Sequence, residues 1–177
     1  MKKMCLATLL AMSVTALNAA PYTLDTANSA VKFSVSHLKL TQVDGTFKEI
    51  AGKIDYEGDK LQILEGSVAI KSIDTANEKR DAHLNAPDMF DSAKHPSINF
   101  KMTKFEAGKI YGDLTIKTTT KPIVLDAKVN ATGNNLGIEA TTKIKRSDFG
   151  ITWDSVFKDN AVGDEVTINL NLKATKA

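Results

Sequence analysis

In this chain apolar side chains fall on every second position over long stretches. Val31, Phe33 and Val35 begin the pattern, followed by Ile98, Phe100 and Met102, then Ile110, Leu114 and Ile116. It continues through Leu125, Ala127, Val129 and Ala131, then Leu136, Ile138, Ala140 and Ile144, and closes with Val166, Ile168, Leu170, Leu172 and Ala174. Successive strand side chains point to opposite faces, so each run presents one apolar face and one face of Lys, Thr, Asn, Asp and Glu. Glu57-Gly58-Asp59, Ala107-Gly108, Gly133-Asn134-Asn135 and Gly163-Asp164 lie between such runs and supply residues that tolerate positive φ, as hairpin turns require. The pattern predicts half-buried strands with local, antiparallel connections. Their apolar faces must meet either in two stacked sheets or by one sheet curling on itself, which also removes exposed edges.

The rhythm stops between Ser72 and Asn85. There Asn77-Glu78 followed by Lys79, Arg80, His83 and Leu84 predicts a short helix, capped at its start, across one end of the sheet. The window from Asn77 to Phe100 holds one of only two arginines and two of only three histidines, so chemistry beyond packing is expected there.

Lys2 and Lys3, an uncharged, mostly apolar run from Met4 to Leu17, and Asn18-Ala19-Ala20 before Pro21 have the form of a secretory signal peptide, residues 1–19. Such a leader predicts export. That run, like every later one, is shorter than the roughly 20 apolar residues that cross a bilayer. Cys5, the one cysteine, lies at the start of the run and leaves with it. The remaining chain, 20–177, is of single-domain size and is held by its core, not by disulfides. Removing Lys2 and Lys3 from 23 basic residues leaves 21 against 21 acidic ones, so no basic field invites nucleic acid.

Gly112, Ala131 and Ala140 are small residues in phase with the apolar faces; they either leave room inside the sheet or let larger neighbours interdigitate. The stretch from Val162 to Ala174 would be roughly 40 Å long as a strand, a depth suited to a chain-like ligand. His37, His83 and His95 lack the spacing of a metal site, and no cysteine joins them. Asp81, His83, Asp91 and Ser92 supply the residue types of a hydrolytic set, without the strand-to-helix turn that usually presents the nucleophile. Arg80-Asp81 and Arg146-Ser147-Asp148-Phe149-Gly150 read either as ion pairs tying the helix to the sheet or as a polar ring holding a ligand head group.

Taken in order, Tyr22-Thr23-Leu24-Asp25, Ser29, Gly45-Thr46-Phe47, Ser72-Ile73-Asp74-Thr75, Arg80-Asp81-Ala82-His83-Leu84, Phe90-Asp91, Gly112-Asp113-Leu114-Thr115-Ile116, Thr120-Lys121-Pro122 and Arg146-Ser147-Asp148-Phe149-Gly150 resemble the YceI-like family of secreted, polyisoprenoid-binding proteins. The resemblance implies an all-β fold, an antiparallel lipocalin-like barrel of about eight strands with a short helix near its mouth. It further implies a long apolar tunnel for an isoprenoid or other long-chain amphiphile, a periplasmic address, and often a homodimer. Within it, Phe33, Val35, Phe47, Ile98, Phe100, Met102, Leu114, Ile116 and Phe149 are expected to line the tunnel. Arg80, Asp81, His83, Arg146 and Asp148 are expected at the rim. Asn28 and Met89 depart from the family pattern and are expected near the mouth. The expected role is non-enzymatic binding, storage or transport of the lipid, without metal or cofactor, with transient contact at a membrane surface. A lipid-modifying hydrolase or isomerase using the same cavity, or an envelope stress or interaction protein, are the other readings.

Overall fold

A computed structural model describes residues 21–37, 41–152 and 162–177. The leader expected at 1–19 lies outside the described residues. The strands are β1 (Pro21–Leu24), β2 (Ala30–His37), β3 (Thr41–Phe47), β4 (Ile50–Glu57), β5 (Lys60–Ala69), β6 (Ile73–Asp74), β7 (Ser97–Glu106), β8 (Lys109–Ile116), β9 (Thr119–Thr132), β10 (Asn135–Lys145) and β11 (Val162–Lys176). One helix, α1 (Glu78–Leu84), and two 3-10 turns, Ile70–Ser72 and Arg146–Phe149, complete the described elements.

All pairings are antiparallel. The order β1-β4-β5-β7-β8-β9-β10-β11 closes on itself because β11 also pairs with β1, giving an eight-stranded barrel. Closure by β1 is short, from Tyr22↔Lys176 to Leu24↔Ala174. Along the rest of β11 the same edge is taken by β2, from Asn171↔Ala30 to Val162↔His37. β2 carries β3, and β3 pairs with β6 at Thr46 and Phe47. The wall is therefore continuous at the β1 end and branches at the other. There α1 follows β6, and Leu84 and Phe90 pack against Phe47, Val68 and Ile73 on one side and Met89, Leu114 and Ile116 on the other.

The predicted turns at 57–59 and 107–108 are present, with Gly58, Asp59, Ala107 and Gly108 all at positive φ, the twist that hairpins favour. Gly163-Asp164 is not a turn. It lies in β11, where the register shifts between Val162 and Val166, because Arg146 holds the Gly163 carbonyl and Ser147 holds the Asp164 carboxylate. The helix forms as predicted: Asn77 Oδ1 accepts from the Arg80 amide at 3.0 Å and caps its first turn.

The β1 end is filled. Tyr22, Ile54, Leu61, Leu64, Ile110, Leu125, Leu136, Ile138, Leu172 and Ala174 form one cluster, in which Ile110 is 0% and Ile138 1% exposed. Ala140 belongs to it, so its small size serves interdigitation, whereas Ala131 lies outside, on exposed surface past the plug.

Candidate functional site: an apolar cavity in the barrel

Above the plug the inward side chains no longer meet. They enclose a cavity of about 460 Å³, within the roughly 300 to 1,000 Å³ typical of small-molecule sites. Its floor is the plug's upper layer, Ile54, Leu64, Leu125 and Leu172. Val31, Phe33, Val35, Ile123, Ile144, Val166, Ile168 and Leu170 form much of the wall. These point inward like the plug residues yet are only half-buried, since what they face is empty space. The expected long tunnel is thus a pocket closed at the β1 end, and it occupies only part of the length of β11.

Glycines shape the wall in two opposite ways. A Cβ at Gly112 would stand 2.4 Å from Phe100 Cζ, and one at Gly45 would stand 2.2 Å from Phe33 Cζ. Each glycine lets a phenyl ring lie flat on the strand beside it, so Gly112 gives interdigitation and no void. Gly52 and Gly66, paired directly across β4 and β5, are covered by no ring, and both line the cavity. Their signal in the sequence is phase: Ile50, Gly52, Ile54 and Leu64, Gly66, Val68 each keep the two-residue alternation.

At the branched end, Lys79 and His83, one turn apart on α1, line the cavity together with Arg80, His37 and Arg146. His83 Nε2 is 3.0 Å from Asp88 Oδ2, and this contact holds the Asp88 carboxyl below its ordinary value. The two arginines fasten neighbouring chain segments. Arg80 donates from Nε to Thr75 Oγ1 and from Nη2 to Thr75 O, both at 2.7 Å, while Asp81 accepts from Thr75 N at 3.1 Å and Oγ1 at 2.5 Å. Arg146 donates to the carbonyls of Ile151 (2.8 Å), Val162 (3.1 Å) and Gly163 (3.1 Å). In place of ion pairs, both arginines fasten chain segments: Arg80 holds the Thr75 hydroxyl and carbonyl, and Arg146 holds three carbonyls.

Of the residues expected in the tunnel, Phe33, Val35, Phe47, Ile98, Phe100, Leu114 and Ile116 line the cavity. Met102 and Phe149 do not. Met102 packs against the plug, just before a register shift between Met102 and Lys104 that brings Phe105 inward out of strict alternation. Phe149, 3% exposed, is buried beside Met89, Leu114 and Ile151 by the 3-10 turn. Of the expected rim, Arg80, His83 and Arg146 line the cavity; Asp81 is turned to Thr75, and Asp148 is outside, 3.4 Å from Lys121. Met89 borders the cavity. Asn28 does not; it bonds Asp25 in the exposed turn between β1 and β2, toward the closed end.

The hydrolytic set is dispersed among other bonds. Ser92 is buried with Oγ donating to Asn85 O at 3.3 Å, and Asp91 pairs with Lys94 at 3.2 Å. Among the described residues no three His, Cys, Asp or Glu side chains come together in a way that would hold a metal ion.

Comparison with known proteins agrees with this architecture. The model of the YceI-like domain matches residues 22–174. A UPF0312 protein of Shewanella denitrificans is 35% identical over 172 residues, covering 87% of this chain and 90% of its own. Burkholderia cenocepacia BcnA superposes with a TM-score of 0.79 at 22% identity, over 86% of this chain and 100% of that one. A polyisoprenoid binding domain from Saccharophagus degradans, implicated in plant cell wall breakdown, superposes with a TM-score of 0.72 at 13% identity, over 90% and 100%.

Proposed function

The chain belongs to the YceI-like domain family, and from that premise we propose that it is an exported, periplasmic carrier or reservoir that holds the hydrocarbon tail of a long-chain amphiphile inside its barrel. The observation that carries this reading is the cavity itself: an almost wholly apolar space of about 460 Å³, closed at the β1 end, that the protein leaves unfilled although it packs the other end of the same barrel tightly. Keeping such space empty forfeits packing energy, and a hydrocarbon restores it at about 0.8 kcal/mol per buried methylene. At roughly 30 Å³ for a group the size of a water molecule or a methylene, the cavity takes a tail of about 15 carbons. A polyisoprenoid longer than that leaves the remainder at the branched end. Its polar head then meets the polar end of the cavity, which Lys79, Arg80, His83 and Arg146 line. The likeness to a polyisoprenoid binding domain supports an isoprenoid as the ligand class.

Native mass spectrometry of protein released gently from the cell envelope tests the reading. The expected result is a lipid adduct in the wild type that is lost in Ile168→Trp, whose indole would project into the cavity and obstruct a tail. Wild-type protein that stays ligand-free, and takes up no hydrocarbon when offered it, overturns the proposal. Incubation with the extracted lipid separates a carrier, which returns it unchanged, from an enzyme, which yields a new product.

A further inference from the structure

Building on the tail-binding reading, we propose that Gly66 is the residue that decides how long a chain the cavity accepts. Gly66 lies inside β5, paired with Gly52 on β4 and one inward position above the floor residues Ile54 and Leu64. A glycine within a strand costs stability relative to a β-branched residue, so its presence needs a cause. At the neighbouring glycines a cause is visible: a Cβ at Gly112 or Gly45 would strike a phenyl ring, and one at Gly52 would come within 2.8 Å of the Glu65 carbonyl. At Gly66 none is. Its φ lies outside the left-handed region, and a Cβ there would meet only the Ala51 carbonyl, at an unstrained 3.8 Å. A side chain on Gly66 would project into free volume just above the floor. What glycine supplies at this position is the volume itself, at the depth where the tip of a tail comes to rest.

The three carbons of a valine side chain occupy roughly 90 Å³ at about 30 Å³ each, which shortens the accessible tail by about three carbons. The test uses two prenyl alcohols of the same chemistry and different length, geraniol and farnesol, competing with a fluorescent fatty acid on wild type, Gly66→Ala and Gly66→Val. The expected result is that Gly66→Val lowers farnesol affinity at least about tenfold while geraniol affinity stays within about twofold, with Gly66→Ala in between. Both variants should melt at or above the wild-type temperature, since a strand residue replaces glycine. Equal farnesol affinity in all three proteins overturns the inference, as does an equal loss for both alcohols. If Gly66→Val does not fold, the farnesol-to-geraniol ratio of Gly66→Ala decides in the same way. Failure of the wild type to bind either alcohol would count instead against the tail-binding function, so the two failures are distinguishable.

Discussion

Arg146 shows how much structure one side chain can hold. Its guanidinium serves three carbonyls, those of Ile151, Val162 and Gly163, and so fixes the start of β11 and the residues after the 3-10 turn. Arg146→Ala leaves these acceptors unpaired in a partly buried place and is expected to cost about 2 to 4 kcal/mol in chemical denaturation. Arg146→Lys should recover little of this, since one ammonium cannot reproduce the planar fork. Beside it, Asp164 accepts from Ser147 Oγ at 2.7 Å and from Ser147 N at 3.0 Å. Burial raises its pKa, but those bonds, with Arg146 and Lys145 nearby, outweigh burial and hold it below the ordinary 3.8. The folded value is the depressed one, so this aspartate contributes stability above the unfolded pKa and loses it as pH falls through the folded pKa. Denaturation midpoints followed from about pH 5 down to about pH 2.5 should therefore fall less steeply for Asp164→Asn than for wild type.

The helix is the element least able to stand alone. At seven residues and with none of them buried, α1 depends on its cap and on the Thr75 contacts of Arg80 and Asp81. Asn77→Ala is expected to cost about 1 kcal/mol, read from thermal melting, with hydrogen exchange rising first at the amides of the first turn. The strands carry their own punctuation. The 57–59 and 107–108 hairpins follow from glycine and aspartate chemistry in the sequence, whereas the bulges after Met102 and at the start of β11 do not. A bulge is set by what the partner strand and nearby side chains demand, and Lys104 carries no local mark of it.

The whole molecule divides one barrel between a solid end and a hollow one. Ile138→Ala, in the solid end, is expected to cost about 2 to 5 kcal/mol in denaturation while leaving ligand occupancy intact. Ile168→Trp, in the hollow end, should do the reverse: occupancy by native mass spectrometry is lost and stability changes by less than about 1 kcal/mol, because the added bulk enters space already empty. Alternation at residues such as Val31, Leu125 and Leu170 determined that there are half-buried antiparallel strands, and Asn77 determined where the helix begins, for these depend on neighbours close in the chain. Of the nine residues expected in the tunnel, seven line the cavity. The sequence could not say that Phe100 would lie over Gly112 and leave Gly66 bare, nor that Arg80 would hold Thr75 and Arg146 three carbonyls. An inward position is the same in sequence whether it meets a neighbour or a void. Only the closing of β1 on β11, and the branching of β2 away from it, decided which end was filled and which was left open.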